Sequence, residues 1–101
     1  MQVSIQIGTY PWDLICFTGS TEKGKLVAKA ASANLIPCIL ELGGKCPLIV
    51  DIGADVDYAA YKCASAKFQN AGQTCITVDY VVVHESLQKQ FTERLLWHIK
   101  D

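Results

Sequence analysis

The sequence predicts an α/β protein in which short β-strands alternate with helices. Four short runs of mostly aliphatic residues are interleaved with three segments that carry apolar residues at helical spacing. Half of the 101 residues are hydrophobic and only 7 are glycine and 3 proline, which indicates a packed core rather than a disordered chain. Where a helix separates two strands, we expect the strands to pair in parallel.

The first half of the chain predicts strand, helix, strand. Residues 13–18 form a mostly apolar run typical of a buried strand. A helix is predicted over 21–34, since its apolar residues share one face and Pro37 follows. Residues 39–42 form a second short strand, which ends at the glycines 43–44.

The second half repeats the alternation. Residues 48–50 predict a third strand, and Asp55 is a suitable N-cap for a helix that ends near Gly72. Residues 80–83 predict a fourth strand, and Ser86 opens a last helix with one apolar stripe.

Charge and cysteine usage exclude several classes of function. With 9 Lys+Arg against 10 Asp+Glu, the net charge of -1 provides no positive field for nucleic acid or an anionic membrane surface. No apolar run approaches the ~20 residues of a membrane span, and the start lacks the features of a signal peptide. Five cysteines without a C-x-x-C pair favour reduced thiols in the cytoplasm over a disulfide framework or a metal site.

The segment 19–25 lies where a strand passes into a helix, and it matches G-x-x-x-x-G-K. Leu26 then stands where a P-loop has the Ser or Thr that holds magnesium, which argues against a nucleotide triphosphatase. Two interpretations stay open. The free N–H groups of a helix N-terminus could bind a phosphate or pyrophosphate, or Gly19 and Gly24 could serve only a tight turn and close packing.

Glu41 and Cys75 are the two candidate catalytic residues. Glu41 is a carboxylate within an apolar strand, where it is either a general base with a raised pKa or an edge residue facing water. Cys75 ends a mostly polar loop, whereas the other cysteines lie in or beside apolar runs. It is a candidate nucleophile, for which Glu41 is a better partner than His84 or His98.

Three segments, taken in order, resemble the aldehyde dehydrogenase family. They are Phe17-Thr18-Gly19-Ser20-Thr21-Glu22-Lys23-Gly24, Leu40-Glu41-Leu42-Gly43-Gly44-Lys45 and Phe68-Gln69-Asn70-Ala71-Gly72-Gln73-Thr74-Cys75. The number of residues between Glu41 and Cys75 also matches the family. The local sequence around Cys75 is most similar to that of the class that oxidises fatty or aromatic aldehydes.

The resemblance implies that the chain oxidises an aldehyde to a carboxylic acid with NAD or NADP. Cys75 would form a thiohemiacetal and then a thioester, and its main-chain N–H would supply part of an oxyanion site. Glu41 would be the general base. The implied cofactor-binding residues are Gly19, Ser20, Thr21, Glu22, Lys23 and Gly24.

The resemblance further implies a partial aldehyde dehydrogenase fold, with 1–42 ending a Rossmann-like NAD(P)-binding domain and 43–101 beginning a catalytic domain. Other segments that complete the family's oxyanion and ribose sites are absent from these 101 residues, so we expect little turnover from the isolated chain. Exposed apolar edges favour a homo-oligomer or a covering partner subunit. The alternative is a catalytically inactive relative that serves as a structural or interaction subunit.

Overall fold

A computed structural model describes residues 10–100, and these fall into two compact units. The first unit runs to Gly43 and the second begins at Gly44. The assignment of 1–42 to a cofactor domain and of 43–101 to a catalytic domain stays a prediction.

The first unit is a β-α-β arrangement built on two parallel strands. Strand β1 (Ile15–Thr18) leads into helix α1 (Thr21–Ala33), and the chain returns in strand β2 (Cys38–Glu41). The strands pair in parallel from Ile15 opposite Cys38 to Thr18 opposite Glu41. Their carboxyl ends therefore lie side by side, at the end of the sheet where α/β proteins bind ligands.

The second unit contains the other two strands and two further helices. Its regular elements are β3 (Cys46–Val50), α2 (Val56–Phe68), β4 (Val78–Val83) and α3 (Gln88–Lys100). Short 3₁₀ segments, Gln69–Gly72 and Glu85–Leu87, precede β4 and α3. Strands β3 and β4 pair in parallel, with a register shift that leaves Asp79 out of the ladder, between the pairs made by Cys46 and Pro47.

The core of the second unit lies between its sheet and its helices. The buried side chains that form it are Val50, Val56, Ala60, Cys63 and Phe91. Exposure alternates along β3 and β4, as the two-residue period of a strand requires. The opposite face of this sheet carries exposed apolar side chains, Ile49, Tyr80 and Val82.

Helices α2 and α3 are joined by an ionic contact as well as by the core. The Asp57 carboxylate accepts hydrogen bonds from Arg94 and from His98, the latter over 3.0 Å. The hydrogen bond from Arg94 is the main cause that holds the pKa of Asp57 below its usual range, with a smaller contribution from His98. Arg94 also lies over the ring of Trp97. Because Arg94 and His98 are about one helical turn apart, a single turn of α3 supplies both of these hydrogen bonds to Asp57.

The α/β fold class and the parallel pairing through helices are confirmed. The predicted start of the last helix at Ser86 is wrong, because a 3₁₀ turn holds residues 85–87 and α3 begins at Gln88. The His84 side chain accepts from the Ser86 N–H and caps that turn instead. Strand β3 is also longer than predicted, since it includes Cys46 and Pro47. Across residues 10–100, no helix is both long enough and apolar enough to cross a bilayer.

Candidate active site

The end of the first unit's sheet brings two of the predicted site elements together. Thr18 pairs with Glu41, and the N–H of Gly19 donates to the Glu41 carbonyl over 3.0 Å. The turn that begins the predicted cofactor segment is thus bonded to the predicted base. The Glu41 side chain is exposed at the end of β2, and an exposed carboxylate is compatible with both interpretations drawn from its strand, a surface residue or a general base.

Helix α1 begins with a side-chain cap. Ser20 has extended backbone, and its hydroxyl accepts from the Lys23 N–H over 3.3 Å, while its carbonyl accepts from the Gly24 N–H over 2.8 Å. Within the described residues, no partner is assigned to the N–H groups of Thr21 and Glu22. These two donors at the positive end of the helix dipole are suited to an anionic group.

Both glycines of this segment also have a packing role. A Cβ atom on Gly24 would stand 2.7 Å from Cδ2 of Leu42, so α1 packs closely against the residue that follows β2, and a side chain at position 24 would force Leu42 to shift. A Cβ atom on Gly19 would meet the Phe17 ring at 2.6 Å. The packing interpretation of the two glycines therefore holds, and it is compatible with anion binding by the neighbouring N–H groups.

Cys75 lies in a backbone turn of the second unit. The N–H of Thr77 donates to the carbonyl of Thr74 over 3.0 Å, which closes a four-residue turn with Cys75 at its second position. The Cys75 side chain is exposed, and its N–H has no partner among residues 10–100. Cys75 thus combines an exposed thiol with a main-chain N–H that has no partner in the described part of the chain.

Thr77 anchors this turn to helix α2. It is the one buried polar residue among those described, with 6% of its surface exposed. Its hydroxyl donates over 3.1 Å to the carbonyl of Ala66, in the last turn of α2, where helix carbonyls lack partners within the helix. The sequence analysis did not single out Thr77, because a threonine before a strand is an ordinary β-former.

The segment before the turn has left-handed backbone at three consecutive residues. Asn70, Ala71 and Gly72 have φ of 50°, 55° and 75°. Glycine and asparagine adopt this conformation readily, whereas alanine there costs ~1–2 kcal/mol. The side-chain amide of Asn70 donates to the Gln73 carbonyl over 3.1 Å, and the Gln73 N–H donates back to the Asn70 carbonyl over 3.1 Å. These reciprocal bonds hold the strained reversal between α2 and Cys75.

The start of β3 contacts the Cys75 turn from the other side. The Cys46 thiol donates to the Cys75 carbonyl over 3.3 Å, and the Cys46 N–H donates to the Asp79 carboxylate over 3.3 Å. Lys67 and Lys45 lie 3.6 and 3.9 Å from the same carboxylate. Asp79, the residue left out of the strand ladder, thus supplies the acceptor for the Cys46 N–H at the register shift before Pro47.

The remaining predicted candidates are used elsewhere. His84 bonds to Ser86 and His98 to Asp57, so neither is paired with a cysteine. All five cysteines are free. Cys63 is buried in the core, and burial raises the pKa of its thiol, partly opposed by Lys67. Cys16 lies in the apolar run of β1 but is exposed.

Residues 9–101 match the family model described as "Aldehyde dehydrogenase family". The chain belongs to the aldehyde dehydrogenase family. The 4,4'-diaponeurosporen-aldehyde dehydrogenase of Staphylococcus aureus is 51% identical over 78 residues, which are 77% of this chain and 17% of that protein. The dimeric NADP-preferring aldehyde dehydrogenase of Rattus norvegicus is 47% identical over 90 residues, 89% of this chain and 20% of that protein.

Solved structures of the family share the fold. Betaine aldehyde dehydrogenase from Staphylococcus aureus, solved in complex with NAD⁺, superposes with a TM-score of 0.88 at 32% identity, over 98% of this chain and 20% of that one. The family and the partial fold predicted from the three motifs are confirmed. The chain spans about a fifth of the length of these aldehyde dehydrogenases. These relatives are named as enzymes, and they give no support to the alternative of a structural subunit.

Proposed function

We propose that the chain carries the nucleophile and the general base of an NAD(P)-dependent aldehyde dehydrogenase, which oxidises an aldehyde to a carboxylic acid. The observation on which this rests is the exposed thiol of Cys75, in a turn fixed by Thr77 and beside its own unpaired N–H. Family membership makes the aldehyde the substrate class. The motif around Cys75 favours a fatty or aromatic aldehyde.

Cys75 performs the covalent step in this proposal. Its thiolate adds to the carbonyl carbon, and the main-chain N–H of the same residue donates to the oxygen on which negative charge develops. Because that donor is held in a turn before substrate binds, no reorganisation is needed when the charge appears. A thiolate also leaves readily from an acyl group, which suits the later hydrolysis of the thioester.

A bound NAD or NADP would supply a hydride acceptor for oxidation of the Cys75 thiohemiacetal to the thioester, and residues of the first unit would hold it. The residues of the first unit fit such a group: the N–H groups of Thr21 and Glu22 point out of the α1 N-terminus, and the Ser20 hydroxyl can still donate. The Glu22 carboxylate opposes a pyrophosphate there, and exposed Lys23 and Lys25 offset its charge. We assign Gly19 to Gly24 as the cofactor segment.

Glu41 is assigned as the general base. Its carboxylate is exposed at the end of β2, so it can take a proton from the water that hydrolyses the thioester. Its carbonyl is held by Gly19, which fixes the backbone while the side chain stays free to move. Substitution by Gln keeps the size and removes the base.

The exposed apolar face of the β3–β4 sheet supports a further proposal, that the protein assembles as a homo-oligomer. Ile49 is 70% exposed and Val82 52% exposed on this face. The rat relative is named as dimeric. The molar mass in solution, measured by light scattering, is expected to exceed that of one chain, and a monomer at all concentrations would contradict the proposal.

The test compares two exposed cysteines, Cys75 and Cys16. Brief treatment with iodoacetamide, followed by peptide mass mapping, is expected to label Cys75 faster than Cys16, and NAD is expected to slow labelling of Cys75 alone. Formation of NADH or NADPH with a long-chain and an aromatic aldehyde is the second readout, with Cys75→Ser and Glu41→Gln as controls. Equal labelling of both cysteines that NAD leaves unchanged would refute the proposed role of Cys75.

A further inference from the structure

Cys46 and Cys75 are 29 positions apart in the sequence, and the second unit brings them into contact. The Cys46 thiol lies 3.3 Å from the carbonyl oxygen of Cys75, the residue that carries the candidate nucleophile. Gly44 lies beside both groups and has no side chain. A Cβ atom added to it would lie 3.7 Å from the Cys46 sulfur and 3.7 Å from that oxygen. The Cys46 sulfur therefore lies against the backbone of Cys75.

The two residues differ in exposure and in restraint. Cys75 is exposed, whereas Cys46 is half-buried in β3. The backbone of Cys46 is fixed by its hydrogen bond to Asp79, so its sulfur is held next to the Cys75 turn. The third cysteine of this unit, Cys63, lies in the core, and burial raises the pKa of its thiol, so it stays protonated and enclosed.

We propose that Cys46 is a resolving cysteine, which converts oxidised Cys75 into a reversible Cys46–Cys75 disulfide. The oxidant is a hydroperoxide, in the first instance hydrogen peroxide. The Cys75 thiol loses its proton, the thiolate attacks the terminal peroxide oxygen, and the O–O bond breaks to give the Cys75 sulfenic acid and hydroxide or an alkoxide. The leaving oxygen takes up the proton that the thiol released and departs as water or an alcohol. The Cys46 sulfur then attacks the Cys75 sulfur, an S–S bond forms, and hydroxide leaves with the proton of the Cys46 thiol as water.

The two steps are balanced in electrons, because the two thiols together lose two electrons and one hydroperoxide molecule gains them. The S–S bond of about 2.05 Å requires the Cys75 side chain to rotate towards Cys46 and the turn to adjust. Cys75 lies in an exposed turn rather than in a strand, so this adjustment breaks no ladder hydrogen bond. The thiol–carbonyl contact of 3.3 Å, a weak hydrogen bond, is lost in exchange.

The consequence is protection of the candidate nucleophile. A sulfenic acid without a nearby thiol is oxidised further to sulfinic acid, which cellular thiols do not reverse. A disulfide is restored to two thiols by a reductant such as dithiothreitol. The pair would therefore switch the proposed enzyme off during peroxide exposure and return it undamaged. This reaction needs neither aldehyde nor nicotinamide, so it stands apart from the proposed dehydrogenase chemistry.

Tryptic mapping suits the test, because cleavage after lysine places each of the five cysteines in its own peptide. The peptides are 1–23, 30–45, 46–62, 63–67 and 68–89. The full chain is treated with a small molar excess of hydrogen peroxide, free thiols are blocked, and the digest is analysed without reductant. We expect a cross-linked species that joins 46–62 to 68–89 within one chain, and dithiothreitol should remove it completely.

Two variants test whether Cys46 is the cysteine that forms the cross-link to Cys75. Cys46→Ser should abolish the cross-link and leave Cys75 as sulfinic or sulfonic acid, which dithiothreitol does not reverse. Cys38→Ser, a substitution of the other half-buried cysteine, should change neither outcome. If a variant fails to fold, the mapping of the parent chain still decides. Cys75 oxidised to sulfinic acid while Cys46 stays free, Cys75 bridged to another cysteine or to a second chain, or Cys75 unreacted would each overturn the proposal.

Discussion

Thr77→Val tests whether the Cys75 turn is held by the hydroxyl that donates to the Ala66 carbonyl. Valine has nearly the same shape and the same preference for extended backbone, so the change removes the hydrogen bond and little else. The side chain is buried and its bond is 3.1 Å long, within the range of a normal hydrogen bond.

The magnitude follows from what remains after the substitution. A typical hydrogen bond contributes ~1 kcal/mol net, and a buried acceptor left without a donor costs ~1–3 kcal/mol. Because Ala66 is half-buried, water can reach its carbonyl in part, and the lower end of that range applies. We expect Thr77→Val to lower the free energy of unfolding by ~1–2 kcal/mol.

Urea denaturation followed by circular dichroism measures this loss. With a slope of ~1–3 kcal/mol per molar urea, the midpoint should fall by roughly 0.3–2 M. Hydrogen exchange adds a local readout, since the amides of 69–77 should exchange faster in the variant.

Thr77→Ser is the matched control, because it keeps the hydroxyl and loses one methyl group, worth ~0.8 kcal/mol. Exchange at 69–77 should stay close to that of the parent in this variant. A valine variant as stable as the parent with unchanged exchange in the loop would refute the argument. So would a serine variant that loosens the loop as much as valine does.

Three further substitutions test the rest of the fold. Phe91→Ala removes a side chain that is 4% exposed from the core, and denaturation should show a loss of ~3–5 kcal/mol. Gly24→Val places a side chain where a Cβ already meets Leu42 at 2.7 Å, and it should lower stability by ~1–3 kcal/mol. Asp57 has a folded pKa lowered mainly by Arg94, so its contribution is present above its ordinary value of 3.8 and is lost as pH falls through the lowered pKa. In urea titrations at several pH values, Asp57→Asn should therefore be less stable than the parent at neutral pH, and the difference should shrink below pH 3.8.

Each of these has a matched control on the same element or the same surface. Ile49→Ala removes a side chain that is 70% exposed and should change stability far less than Phe91→Ala. Lys25→Val places valine at an exposed position of α1 next to Gly24, and equal losses at the two positions would contradict the packing argument. A stability difference for Asp57→Asn that persists unchanged at low pH would show that the ionic contact with Arg94 is not its source.

The local sequence accounts for most of the secondary structure. Asp55 was recognisable as the residue that begins a helix, because a short polar side chain before an apolar stripe can accept from the free N–H groups of the first turn. The parallel pairing was also predictable, since a helix between two strands returns the chain in the same direction. The start of α3 was not, because Ser86 resembles a helix cap but belongs to a 3₁₀ turn capped by His84.

The candidate residues divide in the same way. Glu41, Cys75 and the segment from Gly19 to Gly24 were predicted from motifs, since chemistry of this kind restricts residue types at short spacing in the sequence. Thr77 and Cys46 were not predicted, because the role of each depends on a contact with a residue far away in the sequence, Ala66 for Thr77 and Cys75 for Cys46. A threonine before a strand and a cysteine beside an apolar run are ordinary in isolation.

The sequence by itself determined the family, the order of strands and helices and the residues that carry the proposed chemistry. It could do so because hydrophobic period, capping and motif spacing are local properties of the chain. Only the tertiary structure decided that Glu41 faces solvent, that Gly24 packs closely against Leu42, and that the Cys46 thiol lies against the Cys75 carbonyl. Contacts between segments far apart in the chain depend on how strands register and how loops reverse, and no short pattern encodes the distance between two such atoms.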